Sequence, residues 1–143
     1  MRSEEIIALE QELSFDELSN AKLMKAGMHV INSTPKPVRV RIVFNGDIVF
    51  QHIMDGKSGD MWLNRKQNTL EHFGHSGYYL FLKNEETHEF DQYRTDARYA
   101  ICGGSFPLYV KGELVGGFYV SGLAHDEDHE LIIKALKYIK EER

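Results

Sequence analysis

Residues 100–138, AICGGSFPLYVKGELVGGFYVSGLAHDEDHELIIKALKY, decide the fold. Phe106, Leu108 and Val110 alternate with Pro107 and Tyr109, Lys111-Gly112-Glu113 breaks the alternation, and residues 114–121 resume an extended, apolar run. Two extended runs about a glycine turn predict a β-hairpin. Gly116 and Gly117 weaken the second strand, so they mark a bulge or a close approach of backbone or ligand. Gly122 ends that strand. Asp126 then stands where it can cap a helix in which Leu131, Ile132, Ala135, Leu136 and Ile139 recur at helical spacing.

Working back to the N-terminus, Ile6, Ile7, Leu9 and Leu13 form a short helical pattern. Ser14-Phe15-Asp16-Glu17 has the capping-box arrangement that predicts a second helix, with Leu18, Ala21, Met24, Met28 and Ile31 as its apolar stripe. The run Asn32-Ser33-Thr34-Pro35-Lys36-Pro37 ends it. Val38, Val40 and Ile42 alternate with Arg39 and Arg41, Asn45-Gly46 signals a type I′ turn, and residues 48–54 return, which makes a second hairpin. After the loop 55–59, Ser58 or Asp60 can cap a helix running through Met61, Trp62, Arg65, Lys66, Thr69, Leu70 and Phe73, with Gly74 just past its end. Ser76 opens a further helical turn with Tyr78, Tyr79, Phe81 and Leu82, although their aromatic density also suits a strand. Residues 84–98 read as an exposed polar excursion that rejoins the sheet at Tyr99. The expected architecture is an α+β domain over residues 1–143. Its central antiparallel sheet is built from two hairpins, with helices packed mainly on one side in a profilin-like or PAS-like layering.

The composition fits a globular chain with its own core: 143 residues, 42% hydrophobic and 27% charged. A net charge of -5 gives no general attraction to nucleic acid or to an anionic membrane. The single cysteine, Cys102, excludes an internal disulfide framework. The acidic residues of MRSEEIIALEQEL argue against a signal peptide or a membrane span, so a cytoplasmic location is expected.

Chemistry is concentrated in DMWLNRKQNT, residues 60–69. Trp62 lies three residues before Arg65 and four before Lys66, which puts a cation beside an aromatic face on one helix. Such a surface holds a flat anionic ligand, with Arg65 gripping a carboxylate or phosphate. By spacing alone the commoner arrangement is a core-anchored Trp whose basic neighbours reach solvent. His72 with His75 and His125 with His129 have metal-ligand spacings, but Gly74 interrupts the first pair and the expected cap at Asp126 interrupts the second. No metal is therefore assigned. Asp126, Glu127 and Asp128 complement the dipole of the last helix, and His129 in its first turn is expected to be neutral. Gly103-Gly104 lacks the spacing of a dinucleotide fingerprint, and Gly56-Lys57-Ser58 lacks the upstream glycine of a phosphate loop.

The strand carrying Gly103, Gly104 and Pro107, the turn at Gly112, and the returning strand with Gly116 that ends in Val120-Ser121-Gly122 precede the acidic helix with Asp128. Together they resemble the haem-degrading-domain family of HbpS-like and GlcG-like proteins. WLNRKQNTLEHFGHSGYY, with Phe106-Pro107 and Asp128-His129, makes the chain similar to one bacterial and fungal branch of that family, which has no established reaction. The resemblance covers nearly the whole chain and implies a compact α+β domain that forms homo-oligomers. It raises the weight of Trp62, Arg65, Lys66, Ser76, Tyr78, Gly103, Gly104 and His129 as site residues. Some relatives bind haem, yet no position here matches an established axial ligand of the family.

Three functions follow as expectations. The first is binding of a small molecule, a flat anion such as a tetrapyrrole, between the Trp62 helix, the segment after Gly74 and the sheet of residues 103–122. Trp62, Arg65, Lys66, His75, Ser76, Tyr78, Gly103, Gly104, Phe106, Ser121, Gly122 and His129 would be its lining. The second is a homo-oligomeric scaffold or adaptor without catalysis. The third is an enzyme using Lys66, His75 or His129 as acid or base.

Overall fold

The computed structural model describes residues 1–142. Five helices and four strands follow in the order α1 (Ser3–Glu12), α2 (Asn20–Ser33), β1 (Arg39–Phe44), β2 (Asp47–Ile53), α3 (Met61–Phe73), α4 (Gly77–Thr87), β3 (Ser105–Val110), β4 (Glu113–Ser121) and α5 (His125–Glu141). A single turn of 3₁₀ helix, Asp91–Tyr93, lies between α4 and β3. The sheet is antiparallel throughout, in the order β2-β1-β4-β3, so the two hairpins meet along β1 and β4. The chain is thus α+β with a sheet of two hairpins, as the sequence predicts. No helix among the described residues is long and apolar enough to cross a membrane.

Strand parity assigns the two faces. Val40 and Ile42 of β1 lie opposite Val120 and Phe118 of β4, and Phe118 lies opposite Phe106 of β3. This row packs with Leu23, Ala26 and Val30 of α2 and with Ile132, Ala135, Leu136 and Ile139 of α5 to form the main core. On the other face Arg41, Tyr119 and Ser105 form the facing row. Here α3 lies across the sheet, with Leu63 and Leu70 against Val43 and Tyr119. Buried Arg41 is matched by Gln51 at 2.6 Å, Asn64 at 2.8 Å and Gln67 at 2.9 Å.

Both predicted turns form: Asn45-Gly46 and Lys111-Gly112 take positive φ at both central residues, the type I′ geometry that matches strand twist. Ser76 caps α4, its hydroxyl accepting from the N–H groups of Tyr78 and Tyr79, so the aromatic segment is helix and not strand. That helix runs on to Thr87 and takes the first residues of the expected polar excursion with it. Its Asn84 is buried and ties the following loop by bonds to Asp91 and to the N–H of Phe90. The chain rejoins the sheet at Ser105, not Tyr99.

The start of α2 departs from its sequence signal. Ser14 does not cap it; Ser14 Oγ donates back to the Gln11 carbonyl, and Ser19 caps the helix by accepting from Lys22 N–H. Phe15 between them is drawn into an isolated parallel bridge at the edge of β3, exchanging hydrogen bonds with Tyr109 and Lys111. Tertiary pairing holds residue 15 extended where the capping box asked for helix. The stripe moves too: α2 buries Leu23, Ala26, Gly27 and Val30, and turns Met24 and Met28 outward. Gly27 allows this packing, because a Cβ there would come within 2.5 Å of the Phe50 ring.

Candidate functional site

One end of the sheet gathers the N-termini of α3 and α5 around the close of β4. Arg39 opens β1 directly opposite Ser121, which closes β4. Trp62 stands in the first turn of α3, and His125 begins α5. Between them lies an open cleft of about 410 Å³, with Arg39, Lys57, Trp62, Lys66, Ser121 and His125 on its walls. Cys102, Gly122, Leu123 and Asp128 complete the lining.

At the base of the cleft, Lys66 is buried, with its ammonium 2.7 Å from the Val120 carbonyl and 3.2 Å from Asp128. The second Asp128 oxygen accepts from Leu123 N–H at 2.9 Å, so this carboxylate also secures the entry to α5. Burial pushes the Asp128 carboxyl above its ordinary value, and the Lys66 ammonium offsets part of that push. The helix begins after Ala124, two residues earlier than a cap at Asp126 requires, and Glu127 reaches back to the Ala124 N–H. His125 and His129 therefore share one continuous helix, contrary to the interruption expected at Asp126.

Two cations remain at the rim. The Arg39 guanidinium is aimed by the carbonyls of Ser58 and Gly59, and Lys57 Nζ lies 3.3 Å from the Gly122 carbonyl. Neither pairs with a carboxylate among the described residues. Trp62, 39% exposed, supplies the flat apolar wall. His125 Nδ1 accepts from Gly103 N–H at 2.9 Å, which leaves the proton of the neutral ring on Nε2. Burial raises the Cys102 thiol, so it stays protonated at neutral pH.

The other sequence candidates are dispersed. Arg65 stacks on Trp62 at 4.4 Å and spends its fork on the Tyr99 carbonyl, at 3.0 and 2.6 Å. It stiffens the aromatic wall from behind. Gly103 and Gly104 lie behind the lining, Gly103 N–H donating to His125 Nδ1 and Gly104 packing against Lys66. At Gly104, φ is +113° and a Cβ would come within 2.5 Å of the Val120 carbonyl oxygen and crowd Lys66 Nζ, so a side chain there is strained on both counts. Tyr78 and Phe106 surround His129, with ring centroids 4.8 and 6.2 Å away. Burial, with His125 adding to it, pushes His129 down to about 4, and its Nδ1 has no partner among the described residues. His75 and Ser76 lie elsewhere, holding the buried Glu10 carboxylate: His75 Nδ1 at 3.0 Å and Ser76 N–H at 3.1 Å. His75 lines a separate depression of about 290 Å³ with Ile7, Glu10 and Tyr109. Among the described residues no three His, Cys, Asp or Glu side chains converge as metal ligands.

Arg39, Lys57, Leu123 and His125 enter the site only through the fold. Strand parity puts Arg39 on the α3 face, but nothing local to residues 39 or 57 announces that β4 ends beside them.

Comparison with known proteins gives consistent results. A UPF0303 protein of Psychromonas ingrahamii is 32% identical over 142 residues, covering 93% of this chain and 89% of its own. The crystal structure of the yeast Ybr137w protein superposes with a TM-score of 0.85 at 24% identity, covering all of this chain and 90% of that one. That of a PduOC:haem complex superposes at 0.68 with 19% identity, covering 84% and 93%. These two likenesses establish a shared fold. The model of the family described as haem degrading protein HbpS-like matches residues 15–137. This match runs from the Phe15 bridge at the sheet edge into the last turns of α5, and the chain belongs to the HbpS-like family.

Proposed function

We propose that the cleft between α3, β4 and α5 binds a small, flat, anionic molecule. The observation that carries this reading is the charge pattern. The one carboxylate of the lining, Asp128, is already engaged by Lys66, while Arg39 and Lys57 remain without an acidic partner beside an exposed indole. A planar ring stacks on Trp62 and its carboxylates or phosphates meet Arg39 and Lys57. His125 Nε2–H adds a donor.

Haem, held in the PduOC complex, tests this set of groups. Its propionates and ring suit Arg39, Lys57 and Trp62; its iron does not suit the rest. His125 has Nδ1 engaged and its proton on Nε2, which is the wrong tautomer for ligation through Nε2, and the Cys102 thiol is held protonated. No methionine lines the cleft. The lining therefore favours recognition of a tetrapyrrole as a flat anion over recognition through its metal. Nor are the acid–base candidates assembled: Lys66 serves the cleft, His75 faces Glu10, and His129 sits among aromatic rings.

Trp62 is the sole tryptophan, so its fluorescence reports directly. Titration with metal-free protoporphyrin IX and with haemin is expected to quench it saturably and to similar degree. Arg39→Gln with Lys57→Gln is expected to weaken both by roughly tenfold or more, the worth of one to two charge-assisted hydrogen bonds. Absence of saturable quenching overturns the reading, and tight binding of haemin alone overturns the argument about iron.

A further inference from the structure

Helix α1 forms one side of a second depression, of about 290 Å³, against the start of α4 and the β3–β4 hairpin. Its lining residues, Ile7, Glu10, Ser14, His75 and Tyr109 among them, are all different from those of the cleft. The family match begins at Phe15, so α1, which supplies Ile7 and Glu10, lies outside the matched stretch.

Glu10 is a buried carboxylate, 4% exposed, and such a group is costly to keep unless its oxygens are used. One oxygen lies 3.0 Å from His75 Nδ1, and the other accepts from Ser76 N–H at 3.1 Å. A carboxylate on Nδ1 holds the imidazole proton there, so Nε2 of this half-exposed ring is left without a partner among the described residues. The ring is held still from a second side by Tyr79, with centroids 4.9 Å apart. The rest of the lining is poor in donors. Ser14 Oγ gives its proton to the Gln11 carbonyl and Tyr109 Oη gives its own to the Gly74 carbonyl, so both oxygens are left as acceptors.

We infer that this depression is a second binding site, for a small uncharged phenol whose hydroxyl meets His75 Nε2 and whose ring lies on Ile7 and Tyr109. Charge selects the class. Among the described residues no lysine or arginine lines the depression, so it does not suit an anion. Glu10 has both oxygens engaged and is shielded from solvent, so it offers little to an ammonium group. The state of His75 selects the hydroxyl. Its hydrogen bond to Glu10 raises it and brings its protonation towards neutral pH. A hydroxyl donates to the neutral Nε2 and accepts from the protonated one, so a single group serves both states. Size and surface select the ring. A dry cavity of roughly 150 Å³ already holds benzene, and about 290 Å³ leaves room for one substituted ring against the Tyr109 side chain. Because His75 and Tyr109 are fixed before anything binds, little side-chain freedom is lost on meeting the ligand. The inference does not rest on the anion cleft.

NMR titration of the isotopically labelled full chain with 4-methylphenol, and with toluene as the matched ring without a hydroxyl, tests it. Expected are saturable shifts at residues 7–14, 75–79 and 109–112, a shift of the His75 Nε2 signal, and nuclear Overhauser contacts from the bound ring to Ile7. Toluene should bind about three- to tenfold more weakly, the worth of one net hydrogen bond. His75→Phe keeps a ring and should bring 4-methylphenol down to the affinity of toluene, while the Trp62 response to protoporphyrin IX stays that of wild type. Shifts confined to the cleft, absence of saturation, or equal binding of the two probes by the wild type overturns the proposal. So does a His75→Phe chain that still prefers 4-methylphenol. If that variant fails to fold, the wild-type probe comparison and the Ile7 contacts decide the matter, and a bound ring without those contacts counts against the site.

Discussion

Lys66 Nζ lies 3.2 Å from Asp128 Oδ2 with both side chains almost wholly buried, and this one contact joins α3 to the N-terminus of α5 across the end of β4. Because each charge is out of water, removing one partner strands the other. Asp128→Asn leaves an ammonium with only the Val120 carbonyl and neutralises the acceptor for Leu123 N–H. A loss of about 3–5 kcal/mol is expected in urea denaturation at neutral pH. Lys66→Met should cost less, since Asp128, already raised by burial, can take up a proton. The sign follows: with its folded value above its unfolded one, Asp128 in that variant favours the folded state at acid pH and loses this as pH rises, so the deficit against wild type should shrink on acidification. A deficit independent of pH would show that Asp128 stays charged without Lys66.

His129 imposes the opposite slope. Its folded value of about 4 lies below the ordinary histidine value, so the unfolded chain binds the proton more readily. The stability this histidine contributes is complete above about pH 6.5 and is lost as pH falls towards 4, by on the order of 3 kcal/mol. His129→Phe, which keeps the ring among Tyr78 and Phe106, should flatten that part of the stability profile. If the variant keeps the wild-type slope between pH 6.5 and 4, His129 is not its source.

His75 works the other way again. The hydrogen bond to the buried Glu10 carboxylate is the largest influence raising it, against partial desolvation. Its contribution is therefore present below the unfolded histidine value and fades as pH rises through the folded one. Its imidazole titration by NMR should sit above the ordinary value in wild type and return to it in Glu10→Gln. Since Glu10 also accepts from Ser76 N–H, that variant should loosen the start of α4, seen as faster amide exchange at residues 77–79.

What the sequence showed and what it hid divide along local and long-range physics. Asn45-Gly46, Lys111-Gly112, the Ser76 cap and the α5 stripe are local signals, and all are realised. Ser14 carried an equally good local signal that lost to the pairing of Phe15 with Tyr109, ninety-four positions away in the chain. The α2 stripe is realised only in part: Leu18 and Ile31 pack against the core, but Met24 and Met28 face outward and Leu23, Ala26 and Val30 fill it instead, because periodicity alone cannot say which side of the helix meets the sheet. For the cleft, Trp62, Lys66, Ser121 and Gly122 were visible as residue types in suggestive places. Arg39 and Lys57 were not, because their role depends on the pairing of Arg39 with Ser121 and on a loop carbonyl pair that aims the guanidinium.

The glycines of β4 give a last test, because the sequence left open whether they serve packing or a ligand. At Gly116 a Cβ would overlap the Val43 carbonyl oxygen of β1, which is backbone and cannot rotate away. The register shift between Leu108 and Tyr109 lies beside it, where β4 accommodates an extra residue against β3. Gly116 is thus fixed by strand packing, far from the cleft lining. Gly116→Ala should lower stability by about 1–3 kcal/mol, the usual cost of forcing extra volume into a packed interior, and leave the Trp62 response to protoporphyrin IX unchanged in the fraction that folds. Gly104→Ala should lower stability and also weaken that response, since the methyl group meets Lys66 Nζ and the Val120 carbonyl and the backbone there has positive φ. Equal ligand responses in the two variants would detach Gly104 and Lys66 from the site. A weakened response in Gly116→Ala alone would place the ligand on the other hairpin junction.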